Sequence, residues 1–190
     1  MSPEMTAYVL WFFWVLSWLG AAFWSAPTKH RAKASVEIGH RLVLILGIFL
    51  LFGLYAPRVL ALTQLWRLPA DGKWALDAVI LLGFGFSWWA RVHLGKLWSP
   101  GISAKDNHTV VDTGPYGLVR HPIYSGVLLS AFATAAIWGN LAALVGAVMM
   151  AAAWYWKAWE EEKFLRQELG AATYDDYAAR VSMLFPLPHF

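Results

Sequence analysis

The chain has 190 residues, of which 59% are hydrophobic and 14% charged, with 13 Trp, no Cys and a formal net charge of +3. This is too apolar for an ordinary soluble surface and fits one small polytopic membrane domain. The lack of Cys excludes disulfides, a thiolate nucleophile and Cys-ligated metal or iron–sulfur sites, and nothing resembles a nucleic-acid-binding stripe.

The first apolar run, 7–26, is uncharged and about long enough to cross a bilayer. It follows no basic n-region and carries no small-residue cleavage site, so a retained span is expected. Trp11, Trp14 and Trp18 recur at helical spacing, with Trp24 near the far end, as lipid-facing and interfacial anchors do. Residues 27–41 form a polar loop with Lys29, His30, Arg31, Lys33 and Arg41. The second apolar run, 42–66, is interrupted by Pro57 and Arg58, where its span should end. A connector, 67–73, is flanked by Trp66 and Trp74.

The third span, 74–94, holds Asp77 near one end and Arg91 near the other. Gly83, Gly85 and Ser87 form a small-residue patch suited to close helix approach. Gly83-Phe84-Gly85 admits a second reading, close approach of a cofactor. Residues 95–119 are the longest polar stretch, and a connection that long is functional or disordered as a rule. Trp98, Val110, Val111 and Tyr116 within it predict an ordered, packed loop.

Most of the unusual chemistry lies in 109–126, TVVDTGPYGLVRHPIYSG. Arg120, His121 and Tyr124 fall on one turn that opens an uncharged helix, with Pro122 suited to the first helical position. Free N–H groups at that helix start, strengthened by Arg120, favour an anion at the lip of a membrane span. Two readings stand: a marker of the span's cytoplasmic end, or a functional site, the default for ionisable groups at membrane depth. Residues 122–156 then carry no charge. One helix that long would measure roughly 50 Å, against a hydrocarbon core of about 30 Å. Trp138-Gly139-Asn140 therefore reads as the turn of a tight two-helix hairpin. Small stripes on its two arms, Gly126-Ser130-Thr134 and Gly139-Ala143-Ala147-Ala151, suit their close packing.

Residues 157–180 are charged and helical in pattern, with Gly170 as a C-cap between two helices and an extended tail after them. Glu160-Glu161-Glu162 is either a solvated first turn or a partly inward-facing group. Successive helical residues point about 100° apart, so one or two of the three at most turn inward. With five spans, twelve of the 15 Lys and Arg fall on the C-terminal side, leaving Arg58, Arg67 and Lys73 opposite. The positive-inside rule then assigns the long loop and the C-terminal helices to the cytoplasmic face.

GPYGLVRHPIYSG, an uncharged hairpin, EExxL and LG…Y..Y…V…FP together resemble the isoprenylcysteine carboxyl methyltransferase family, and more loosely the wider group including phospholipid N-methyltransferases. The likeness covers about 91–188. Two departures stand out: the family's Asn-Pro is Asn140-Leu141, and its Val-Pro is Val181-Ser182, with Pro186 and Pro188 further along. The resemblance implies S-adenosylmethionine as methyl donor. It implies cofactor contacts at His108, Val110, Gly114, Tyr116, His121 and Tyr124, with Glu161 and Glu162 as the paired acids. Arg91 aligns with a substrate or catalytic arginine, and Arg120 joins it as a candidate to orient a carboxylate.

The expectation is an all-α integral membrane protein. It has about five transmembrane helices, the last two a tight hairpin, plus cytoplasmic C-terminal helices. Residues 1–190 form one methyltransferase domain, with the first two spans in 1–73 and the working part in 74–190. The expected partners are membrane lipids and a lipidic, isoprenylcysteine-like acceptor methylated on its carboxylate. Two alternatives remain: methylation of a phospholipid amine or small thiol, and a non-enzymatic membrane scaffold. No metal is expected, because the six His form no HxxxH or HExxH pair. No GxGxxG follows a strand, so the soluble route to this cofactor is missing.

Overall fold

A computed structural model describes residues 1–25, 28–31, 34–54, 63–105 and 109–186. Six helices make up most of it: α1 Pro3–Ala22, α2 Ala34–Leu51, α3 Ala70–Leu94, α4 Pro122–Trp138, α5 Leu141–Leu169 and α6 Ala171–Arg180. A short antiparallel ribbon, β1 Thr28–Arg31 against β2 Ser103–Lys105, is the one departure from the all-helical expectation among the described residues. Three helical segments are long and apolar enough to cross a membrane: Pro3–Ala22, Ala70–Leu97 and Leu141–Leu169.

Caps explain where the boundaries differ from the apolar runs. Helix α1 starts before residue 7 because the Ser2 side chain accepts from Met5 N and Pro3 occupies the first turn. Helix α2 corrects the 42–66 expectation at both ends. It begins inside the polar stretch and stops at Leu51, where Gly53 adopts φ 68° and Leu54 N donates to Phe49 O. Pro57 and Arg58 lie outside the described residues. Helix α4 stops at Gly139, φ 62°, and Asn140 caps α5 by accepting from Ala143 N at 2.9 Å. Segment 63–66 braces this break: Leu65 N donates to Gly139 O and Leu141 N to Thr63 O. No boundary falls at residue 157. Helix α5 runs 29 residues without interruption, about 43 Å, carrying the triple acid on the same rod as its apolar half.

The helices meet through small residues. A Cβ on Gly83 of α3 would stand 2.5 Å from Gly126 O, and one on Gly126 of α4 would stand 2.3 Å from Gly83 O. Ser87 Oγ lies 3.1 Å from both Gly83 O and Ile123 O, and Ser130 Oγ 3.0 Å from Ile80 O. Packing is therefore the reading that holds for Gly83, while Gly85 has nothing within 4 Å. Gly47 and Gly146 bring α2 and α5 together in the same manner. Helix α1 docks through aromatic faces rather than into lipid. Trp11 Nε1 donates to Thr134 Oγ1 at 2.9 Å, Trp11 and Trp14 pack on Phe84, and Trp18 meets Trp98. The expectation that these Trp anchor in lipid gives way to core packing.

Gly126→Ala forces backbone apart and should cost about 1–3 kcal/mol. It is expected to lower the thermal unfolding midpoint in detergent by several degrees. Gly85→Ala, which meets open space, should leave that midpoint unchanged.

Candidate functional site

The site is assembled from three chain segments. The first is the corner between Thr113 and Tyr124. Gly114 opens its 3-10 turn at φ 57°, and a Cβ there would sit 2.8 Å from the His93 ring. His93 in turn stacks on Tyr116 and contacts Thr113 Oγ1 at 2.9 Å. The second segment is the strap after α6. Arg120 N donates to Ser182 O at 2.8 Å, His121 N to Met183 O at 3.1 Å and Ser125 Oγ to Leu184 O at 2.6 Å. The first two bonds satisfy N–H groups at the start of α4 that no helical turn reaches. The third segment is the charged half of α5.

Arg120 joins all three. Its Nε and Nη2 form a fork on Glu162, at 2.8 and 2.9 Å, and its Nη1 reaches Ala178 O and Val181 O. Both side chains are about nine-tenths buried, with 11% and 12% exposure. His121 Nε2 approaches the same Glu162 Oε1 at 3.0 Å. One position earlier, Glu161 Oε2 accepts from Tyr124 Oη at 2.5 Å. Two of the three acids thus turn inward, and Glu160 pairs with Lys163 instead. Burial tends to lower the Arg120 guanidinium, but the Glu162 bonds outweigh it and raise it above its ordinary value. Burial also pushes the Tyr116, Tyr174 and Tyr177 phenols up, with nearby carboxylates adding to it. They remain protonated donors at neutral pH, and Tyr177 Oη donates to Tyr116 O at 2.7 Å.

These groups surround a cavity of about 300 Å³. Val110, Tyr116, Arg120, His121, Tyr124 and Glu161 line it. Gly114 and Glu162 stand behind the wall, the first holding the 3-10 turn and the second holding Arg120 and His121. His108 lies outside the described residues. Arg91 is not in the wall. It is fully buried, 0% exposed, between the rings of Trp24 and Trp98. Its Nη1 donates to Gly95 O at 2.7 Å and its Nη2 to Ala21 O at 2.8 Å, closing the C-terminus of α1.

The wall also holds residues that the sequence does not assign to a site, among them Trp98, Trp154, Lys157, Tyr174 and Tyr177. Spacing is the signal that links Trp154 and Lys157 to the acids. Trp154, Lys157 and Glu161 fall at i, i+3 and i+7 and share one face of α5. Tyr124 stacks on Trp154, with ring centroids 4.5 Å apart, and on His121 at 5.2 Å. Trp154 Nε1 is buried with no partner among the described residues, a donor aimed at no protein acceptor. A cavity lined by a carboxylate and aromatic faces can accommodate an aromatic or cationic molecule. Among the described residues no group of three or more His, Asp or Glu is arranged to hold a metal ion.

Residues 76–167 match the model of the isoprenylcysteine carboxyl methyltransferase family. Over 119 residues, 61% of the chain, the sequence is 32% identical to the cobalt-zinc-cadmium resistance protein CzcN of Cupriavidus metallidurans, of which 53% is covered. Over 109 residues, 57% of the chain, it is 28% identical to a probable protein-S-isoprenylcysteine O-methyltransferase of Oryza sativa subsp. indica, of which 52% is covered. The subsp. japonica protein of the same name matches equally. The chain spans about half the length of these curated relatives.

Glu162→Ala strands the buried Arg120 charge and should destabilise the protein by about 3 kcal/mol. Thermal unfolding in detergent is expected to show a clear drop in midpoint. Glu160→Ala, which removes a half-exposed pair, should shift it little.

Proposed function

Because residues 76–167 belong to the isoprenylcysteine carboxyl methyltransferase family, we propose that this chain is an S-adenosylmethionine-dependent membrane methyltransferase acting on the carboxylate of a lipidic, isoprenylcysteine-like acceptor. One observation carries the reading. The Arg120–His121 corner and the Glu161–Glu162 turn, about forty residues apart in sequence, close on each other around a single cavity.

The residues present fit this donor. The open Glu161 oxygen complements a cationic sulfonium or accepts from ribose hydroxyls. The faces of Tyr116, Tyr124 and Trp154 suit an adenine or a cationic sulfur. When bound, S-adenosylmethionine supplies a methyl group already activated for displacement. The protein's task is then positioning, water exclusion and placement of charge. A carboxylate acceptor is ionised at neutral pH and needs no general base. Arg120 keeps the corner in register with α5 and retains one N–H beyond its four bonds to direct toward the acceptor. Arg91 acts from behind, holding Trp98 and the end of α1 in place beside the cavity.

In this reading α1, α2, α3, α4 and α5 each cross the bilayer, and α4 with α5 forms the hairpin. The cavity opens to the cytoplasmic side, where the Lys and Arg concentrate. Trp18, Leu19, Ala22, Leu94 and Leu97 form its apolar flank, through which a prenyl chain reaches the carboxylate-binding end from the lipid. The whole of 1–190 works as one domain. A second reading rests on the 2.5 Å contact between Tyr124 Oη and Glu161. That pair is placed to take a proton from an amine or thiol acceptor. A pH–rate profile flat through the histidine range favours the carboxylate, and one rising through it favours the amine or thiol.

Titration calorimetry in detergent is expected to detect S-adenosylmethionine binding. Glu161→Ala should weaken it at least tenfold, about 1.4 kcal/mol. Unchanged affinity in the variant, or no binding by the wild type, overturns the cofactor assignment. A screen with radiolabelled donor should favour prenylcysteine analogues over lipid extracts and small thiols. Arg91→Ala should reduce kcat/KM at least tenfold, and a normal rate removes Arg91 from the mechanism.

A further inference from the structure

Three cationic side chains were available to meet an acceptor carboxylate, and the geometry separates them. Arg91 is outside the wall, with donors on backbone carbonyls. Arg120 lines the cavity, but four of its five N–H groups serve Glu162, Ala178 O and Val181 O. Lys157 also lines the cavity. Its ammonium sits 5.3 Å from the Tyr124 ring centroid and 5.2 Å from that of Trp154, and donates once, to Pro100 O at 3.2 Å.

An ammonium has three donors, so two of those on Lys157 are unassigned among the described residues. Apart from Glu37 of α2, which pairs with Arg41, the acid whose charge reaches it is Glu161, one turn on along α5. That carboxylate is turned to Tyr124 and makes no ion pair with Lys157 within 4.0 Å. Aromatic faces stabilise a cation only partly, and a charge held in an apolar wall calls for an anion. The Glu162–Arg120 fork is neutral as a unit. The charges left in the wall are therefore Glu161 for a cationic ligand and Lys157 for an anionic one, one helical turn apart. That separation suits two ligands of opposite charge meeting side by side.

We propose that Lys157 is the residue that binds the acceptor's carboxylate in this cavity, which makes it a specificity determinant for free-acid over esterified or neutral acceptors. The proposal rests on the methyl-transfer reading for the identity of the acceptor. Lys157 donates two N–H bonds to the carboxylate, and its tie to Pro100 O keeps the ammonium at the wall. Formation of the methyl ester removes the negative charge and with it the main attraction, so product release follows from the same contact.

The test has two parts. In the wild-type protein, acetic anhydride labelling of Lys157 is read by mass spectrometry with and without an N-acylated S-prenylcysteine, its methyl ester, or S-adenosylmethionine. The free acid is expected to reduce labelling at least threefold and the methyl ester to leave it unchanged. Equal protection by acid and ester, or protection by S-adenosylmethionine alone, overturns the proposal. The second outcome assigns Lys157 to the donor's own carboxylate. In the second part, Lys157→Gln should raise the acceptor KM at least tenfold with donor affinity unchanged, and Lys157→Arg should restore most of it. An unaltered acceptor KM in Lys157→Gln overturns the proposal. Acid-specific protection without any turnover by the wild type keeps Lys157 as a carboxylate site and overturns the methyl-transfer reading instead. If Lys157→Gln fails to fold, the labelling arm decides alone.

Discussion

The fork between Arg120 and Glu162 is the contact on which the site depends. It joins a loop corner, a helix that runs up from the membrane, and the strap that follows α6. A buried ion pair is costly to desolvate and is a poor source of net stability by itself. Its value here is geometric. A guanidinium has one rigid arrangement of donors, so engaging a carboxylate and two carbonyls fixes three segments with a single side chain. His121 and Tyr124 then fall beside Glu162 and Glu161 in an order set by the α4 and α5 registers.

That registration reaches down into the apolar part of the fold. Gly83 against Gly126 lets α3 and α4 touch through their backbones, which sets the depth at which Pro122 begins its helix. Serine hydroxyls on both helices complete the contact, each donating to a backbone carbonyl of the facing helix. Since a rotation of α4 would swing Tyr124 away from Glu161, the small-residue seam and the polar corner are parts of one constraint.

The readable parts of the site were those whose residue types are out of place in an apolar chain. Arg120, His121 and the adjacent acids stand out against uncharged surroundings, and their family-like spacing pairs them across the intervening helices. Lys157 was passed over because a basic residue at the end of an apolar run looks like an ordinary span boundary. Trp154 was lost among 13 Trp. Arg91, singled out by the resemblance alone, lies outside the wall: two indole faces flank its charge, its Nη groups reach carbonyls at the ends of α1 and α3, and its Nε has no partner among the described residues. Element boundaries drifted where caps, rather than hydropathy, end a helix. Ser2 and Gly53 are short-range signals that a window of apolar residues does not register.

The strap bears on one departure from the pattern that the sequence resembles. That pattern has Val-Pro where this chain has Val181-Ser182, and here the corner is bound through the oxygens of Ser182 and Met183. Every amino acid, proline included, offers a carbonyl oxygen. These two docking bonds depend on the presence and direction of the backbone, while the Met183 side chain packs against the core. A proline at 182 would keep this bond, since the bond to Arg120 N uses the oxygen of that residue and not its N–H.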